Sequence, residues 1–236
     1  MIAAQSAVAT EIKVLSAGAI EPGLKAAAAA FQKASGHEVK ISFNTAPQIR
    51  KRIEGGDLQD IVIAPPAAIE EFAKAGKLTA ERASVGRVGL GVAVRPGAPG
   101  PDISSAAALR QSVLEAESIV FNRASTGLYF EGLLKKMGVY DQVEKKTTRY
   151  DDGASVMEHV LKGKGREIGF GAITEILLHR GHGLRLVGPL PAEVQNYTSY
   201  TASVMSAAPA AGAAKDFIRY LGTPEAKAAF VAAGIE

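Results

Sequence analysis

The sequence contains no cysteine, which excludes disulfides, thiolate catalysis and sulfur-ligated metals. No apolar run approaches the roughly 18 residues of a membrane-crossing helix. Charge of one sign is also scarce in excess. The formal net charge is +3 over 236 residues, and the basic residues are scattered, so the balance gives no sign of nucleic acid as a partner. The densest basic clusters, Arg50-Lys51-Arg52 and Lys145-Lys146, read as solvated faces. There is no Walker A loop, no GxGxxG fingerprint and no GxSxG elbow, so nucleotide enzymes and serine hydrolases lack support. His179 and His182 stand at an HxxH spacing, yet Arg180-Gly181 between them and Gly183 after them read as a solvent turn. Neither a metal nor a cofactor is expected.

What is present is an ordinary interior: 47% apolar and 22% charged residues, enough to bury a core. The first third alternates strand and helix. Glu11–Ala17 is a short apolar run, Pro22–Ser35 an alanine-rich helix stopped by Gly36, and Val39, Ile41 and Phe43 alternate as in a strand. Helices over Pro47–Glu54 and Pro66–Ala75 flank the continuous apolar strand Asp60–Ala64. Proline at the helix start and glycine past its end is the expected asymmetry of helix termini. Strands apolar on both faces and separated by helices imply parallel sheets covered on each side.

The rhythm breaks at Arg87–Arg95, a longer strand ending in the turn-rich Pro96–Pro101, and then restarts. Helices are expected near Ser105–Ala116, Gly127–Met137 and Ala154–Leu161. Strands are expected at Ser118–Phe121, around Val143–Thr148, and at Glu167–Gly171. A short helix from Thr174, return strands at Leu184–Val187 and Thr198–Ser206, and two alanine-rich helices complete the chain. The fold class is therefore α/β with two lobes, each a mostly parallel sheet flanked by helices, and a ligand cleft expected between them. Lobe 1 comprises residues 10–84 and 197–236, and lobe 2 residues 85–196.

In open α/β sheets ligands bind beyond the carboxyl ends of the strands. The loops there sit at helix starts, where unpaired N–H groups and the helix dipole favour negative charge. In the first lobe, Gly18, Ala19 and Ile20 offer backbone donors, with a tight packing turn as the competing role; Thr45, Ala46 and Gln48 form a second group, where Thr45 as a plain N-cap competes; and Pro65 belongs to a third loop. In the second lobe Arg123 follows a strand, and arginine grips a carboxylate with two parallel bonds; a salt bridge across the cleft mouth is the competing role. Ser125, Thr126 and Gly127 begin the next helix, where holding a ligand competes with capping. Ser155 is a further candidate beside the capping residue Asp152. Phe170 and Gly171 end a strand, with an aromatic ligand wall competing against core packing, and Ala172 follows. No acid, base or nucleophile stands in a convincing constellation, so the chain reads as a binder of a small anion and not as an enzyme.

The stretch VLSAGAIEPGLKAAAAAFQKASGHEVKISFNTAPQIRKRIEGGDLQDIVI resembles the amino-terminal signature of the periplasmic molybdate-binding proteins, which are type II solute-binding proteins of ABC importers. Ser125-Thr-Gly-Leu-Tyr129, Glu167-Ile-Gly-Phe-Gly171 before Thr174-Glu175, and Val187–Gln195 extend the likeness over the chain from residue 11. The resemblance implies the type II periplasmic-binding-protein fold, capture of a small anion by interlobe closure, a membrane-embedded ABC permease as partner, a monomer, and a periplasmic location. The departures concern the ligand. Molybdate binders use a serine hydroxyl in each of the first two loops, and those positions are Ala19 and Ala46 here. The tyrosine of the fourth contact loop is also replaced, with Ala172 nearest to it. A small organic carboxylate thus stands beside a molybdate-like oxyanion as candidate ligand.

Ala7-Val8-Ala9 before Thr10 reads like the small-residue end of a secretory signal, making residues 1–9 a trimmed remnant; a disordered tail on a cytoplasmic protein is the other reading. A cytosolic enzyme or an effector-sensing domain on the same two-lobe scaffold is the alternative function, since fold does not fix function.

Overall fold

The computed structural model describes residues 9–236, so the signal-remnant reading lies, apart from Ala9, outside the described residues. The chain divides into two compact units. One holds the described residues up to Gly86 together with Ser199–Glu236; the other is Arg87–Thr198.

The first unit is built from β1 (Glu11–Ala17), α1 (Glu21–Ser35), β2 (Glu38–Asn44), α2 (Ala46–Glu54), β3 (Ile61–Ala64), α3 (Pro66–Lys74) and the first half of β4 (Leu78–Val94). A short 3-10 turn, Gly18–Ile20, joins β1 to α1. β1 pairs in parallel with β2 and β3. The ends of the helices follow local chemistry. α1 carries Pro22 in its first turn and stops at Gly36, whose φ of 75° closes the last turn with an N–H bond to the Gln32 carbonyl. That left-handed cap is a conformation glycine adopts without steric cost. Leu24, Ala27, Ala28 and Phe31 recur at helical spacing and are buried, so one stripe of α1 seals the sheet.

The second unit takes the rest of β4 and adds α4 (Ala106–Glu115), β5 (Ser118–Asn122), α5 (Ser125–Lys136), α6 (Tyr140–Val143), β6 (Thr147–Tyr150), α7 (Gly153–Lys162), β7 (Glu167–Ala172), α8 (Ile173–Leu178) and β8 (Arg185–Pro189). β5 pairs in parallel with β6 and β7, while β4 runs antiparallel to β7 and β8. Successive residues of β5 supply opposite cores. Ile119 and Phe121 pack with Phe130, Leu134 and Phe170, whereas Val120 packs with Val156, Met157 and Val160. β9 (Tyr197–Met205) returns the chain to the first unit, antiparallel to β3, where α9 (Ala211–Leu221) and α10 (Pro224–Ala232) follow.

Two expectations need correction. The stretch around Val143–Thr148 is not one strand: α6 and a 3-10 turn, Glu144–Lys146, occupy its first part, and β6 begins only at Thr147. Val139 and Val143 are both fully buried in the core below α5; their four-residue spacing meets that core only if the backbone coils. Lys146 is also not a solvated charge. Its ammonium donates to the Leu114 and Ala116 carbonyls at 2.5 Å each, satisfying the end of α4, and burial lowers its pKa.

Among the described residues, no helix is long and apolar enough to cross a membrane.

Candidate functional site: anion donors at the strand ends of each unit

In the first unit, β1, β2 and β3 end at Ala17, Asn44 and Ala64, just before helices or helical turns. The Gly18–Ile20 turn closes when the Glu21 N–H donates to the Gly18 carbonyl. Ile20 is fully buried and Ala19 is 7% exposed, so their side chains face the core. Ser16 is also fully buried, and its hydroxyl donates to the Ala17 carbonyl. At α2 the sequence builds a capping box: the Thr45 hydroxyl accepts from the Gln48 N–H, and the Gln48 side chain accepts from the Thr45 N–H at 2.8 Å. This reciprocal pairing satisfies two amides that the first helical turn leaves open. The Thr45 hydroxyl and the Gln48 side-chain oxygen are therefore engaged at the helix start, while the Gln48 side-chain N–H groups are not part of this cap, and Ala46 adds only backbone. Pro65 caps α3. It has no N–H to offer an anion, and its carbonyl accepts from Ala68 and Ile69.

In the second unit the loops after β5 and β6 lie side by side, because Asn122 registers with Tyr150 in the parallel pair. The organiser of the first of these loops is Asn122, which is 2% exposed. Its side-chain Oδ1 accepts from the Ala124 N–H at 3.0 Å and from the Gly127 N–H at 3.1 Å. Its amide donates to the Thr126 hydroxyl at 3.1 Å. Gly127 has no room for a side chain: a Cβ there would lie 1.8 Å from the main-chain oxygen of Asn122. The Thr126 hydroxyl and the Gly127 N–H are thus engaged in the cap. Ser155 is committed in the same way, its N–H donating to Asp152 at 2.8 Å and its hydroxyl at 3.2 Å. Phe170 is 1% exposed and stacks on Phe130 with ring centroids 3.8 Å apart, so its ring belongs to the core. Gly171 faces Met157, which a Cβ would meet at 2.6 Å, and Ala172 is fully buried.

Two groups in this loop stay open. The hydroxyl of Ser125, the first residue of α5, is half-buried and has no hydrogen-bond partner among the described residues; Ser125 and Thr126 also carry first-turn amides. Arg123 is anchored at its backbone, which donates to the Tyr150 carbonyl at 2.8 Å. Its Nη1 donates to the Arg149 carbonyl at 2.8 Å and reaches Asp151 loosely at 3.4 Å. The Nε and Nη2 edge has no partner among the described residues, and 57% of the side chain is exposed. One edge of the guanidinium is therefore fixed, and the opposite edge presents the parallel donors that match a carboxylate.

Behind this loop lies a charged buttress. Arg149 pairs with Glu131, donates to the Asn122 carbonyl at 3.3 Å and lies 4.9 Å over the Phe121 ring. Hydrogen bonding from Lys135, with Arg149 close by, holds the Glu131 carboxyl below its usual range. His179 and His182 have ring centroids 6.2 Å apart, but His179 is engaged with the Glu175 carbonyl at 3.0 Å. No group of three or more potential metal-ligating side chains occurs among the described residues. The residue that sequence reasoning passed over is Asn122. Its signal was available, since an asparagine side chain near a helix start readily accepts from nearby main-chain N–H groups.

Comparison with known proteins adds to this geometry. The sequence profile of the family described as bacterial extracellular solute-binding protein matches residues 12–236. A Pseudomonas protein named aconitate isomerase is 28% identical over 233 residues, covering 96% of this chain and 88% of that protein. The periplasmic molybdate-binding protein of Azotobacter vinelandii superposes with a TM-score of 0.80 at 18% identity, covering 95% of this chain and 98% of that one. The sulfate-binding protein of Mycobacterium tuberculosis gives 0.78 at 18% identity, over 96% and 86% of the two chains. These structural likenesses establish the type II periplasmic-binding-protein fold.

Proposed function

Since this chain belongs to the bacterial extracellular solute-binding protein family, we propose that it captures a small organic polycarboxylate and delivers it to a membrane-embedded ABC permease. The observation that carries this reading is Arg123: its Nη1 is held by the Arg149 carbonyl at 2.8 Å, which leaves the Nε and Nη2 edge for a ligand carboxylate. Ser125 and the first amides of α5 supply the neighbouring donors.

Chemistry in the first unit favours the same class over a tetrahedral oxyanion. Ala19 and Ala46 carry methyl groups where the molybdate-protein resemblance has serine hydroxyls, and the Thr45 hydroxyl is engaged in its cap. Each missing charge-assisted bond is worth roughly 1.5–3 kcal/mol. A tight molybdate site is therefore disfavoured. The relative named aconitate isomerase supports a ligand of the tricarboxylate type. In this reading the protein acts as a monomer in the periplasm.

That relative also favours a second reading, in which the chain isomerises the polycarboxylate it binds. The two readings share a ligand and differ in turnover. Calorimetric titration with trans-aconitate, cis-aconitate, citrate, molybdate and sulfate tests the ligand class; binding of the carboxylates but not the oxyanions is expected. Binding of molybdate or sulfate alone rejects the proposal. Proton NMR of cis-aconitate incubated with the protein separates the readings: an unchanged spectrum means capture, and appearance of the trans isomer means catalysis.

A further inference from the structure

Away from the strand ends that carry the anion donors, the first unit has a groove of about 680 Å³, lined by residues 81–86 of β4, by α9 and α10, and by the segment after α10. This size lies within the roughly 300–1,000 Å³ of small-molecule pockets. Its floor is apolar. Val85, Ile218, Phe230 and Ile235 line it, and each is 4% exposed or less. Val231 also lines it and is 67% exposed, the highest value among the large hydrophobic residues described. The floor itself is nearly covered, so the exposed apolar surface of the groove is centred on Val231.

The charge around that floor is biased. Arg82, Lys215, Arg219 and Lys227 line the groove against the carboxylates of Glu81 and Glu236. Lys215 pairs with Glu81 at 2.7 Å, Arg82 with Glu70 at 2.6 Å, and Arg219 with Asp216; all six side chains are at least one-third exposed, so these pairs exchange readily for another anion. Lys227 has no ion-pair partner among the described residues.

We infer that this groove binds an amphiphilic anion, its apolar chain lying over Ile218, Phe230 and Val231 and its acidic head among Lys215, Arg219 and Lys227. An apolar floor alone would accept any oily body, and an exposed basic rim alone binds weakly. Their combination selects a ligand that carries both parts. The site is independent of the carboxylate reading for Arg123, and either can stand without the other.

Dodecanoate, kept below its micelle-forming concentration, is titrated into the full chain by calorimetry. Dodecyltrimethylammonium supplies the same tail with the opposite head, and saturating trans-aconitate tests for overlap with the Arg123 loop. The expected result is a single dodecanoate site, bound about tenfold more tightly than the cationic amphiphile and indifferent to trans-aconitate. Val231→Asp and Lys227→Glu, both at exposed positions that tolerate charge, each weaken dodecanoate about three- to tenfold without lowering the melting temperature appreciably. Absence of dodecanoate binding overturns the inference. So does equal affinity for the two amphiphiles, competition by trans-aconitate, or binding untouched by both substitutions.

Discussion

The Nη1 group of Arg123 donates to the main-chain oxygen of Arg149 at 2.8 Å. A carbonyl on the neighbouring strand thereby sets the direction of a side chain that would otherwise sweep through solvent. The parallel register that brings Phe121 beside Arg149 makes this bond possible. Four outcomes follow from the way the second unit and its counterpart spend their polar groups.

Arg123→Ala should weaken polycarboxylate binding about ten- to a hundredfold, the equivalent of a charge-assisted pair worth roughly 1.5–3 kcal/mol. Arg123→Lys should recover only a minor part of that loss, because an ammonium cannot present two parallel donors. Calorimetry reads the dissociation constants. A lysine variant that binds as well as the parent would show that charge alone is recognised.

Asn122→Ala removes the acceptor used by the Ala124 and Gly127 amides at a position that is 2% exposed. Leaving buried donors unmet costs about 1–3 kcal/mol, so the midpoint of urea unfolding should fall accordingly. Ligand affinity should drop as well, since the start of α5 loses its fixed geometry. Asn122→Asp keeps the acceptor and should retain more stability than alanine, while placing a negative charge beside the open donors and weakening anion binding.

Thr45→Ala disrupts the capping box with Gln48 and should cost about 1 kcal/mol of stability. Because the hydroxyl is already engaged, affinity for the carboxylate ligand should stay within about twofold of the parent. A large loss of affinity with unchanged stability would show that Thr45 abandons its cap to contact the ligand.

Glu81 gives a pH signature. Its carboxyl is lowered from 4.5 to about 2, first by the hydrogen bond from Lys215 and next by that from Thr79. A carboxylate depressed in the folded state adds stability above its unfolded value and loses it as pH falls through the folded value. The melting-temperature advantage of the parent over Glu81→Gln should be complete near neutral pH, shrink between pH 4.5 and about 2, and diminish at high salt because the pair is solvent-exposed. An advantage constant across that range would remove Glu81 as its source.

Much of the architecture was legible in the residues. Pro22 with Gly36 bounds α1, and Thr223 with Pro224 opens α10, where the Thr223 hydroxyl accepts from the Ala226 N–H at 3.3 Å. Apolar strands such as Ile61–Ala64 are buried on both faces, as their composition requires. Other elements were less legible. β4 begins at Leu78, well before Arg87, because its polar first half pairs beside β9, where the Ser203 hydroxyl donates to the Glu81 carbonyl at 3.2 Å. The α6 turn was hidden for a related reason: its valines answer to a core formed by distant helices.

The site divides in the same manner. That helix starts follow strands, and that an arginine stands directly after β5, is written in the order of residues. What each polar atom does there is not. Thr126, Gly127 and Ser155 suit a ligand by type and position, yet polar groups inside a fold must be satisfied, and Asn122 and Asp152 engage the Thr126 hydroxyl, the Gly127 N–H and both Ser155 groups. By itself the sequence determined most of the strands and helices, and that helix starts follow directly on strand ends. Only tertiary structure decided which donors stay unspent, because hydrogen bonds are allotted by neighbours that fold together from separate parts of the chain, as Arg149 does for Arg123.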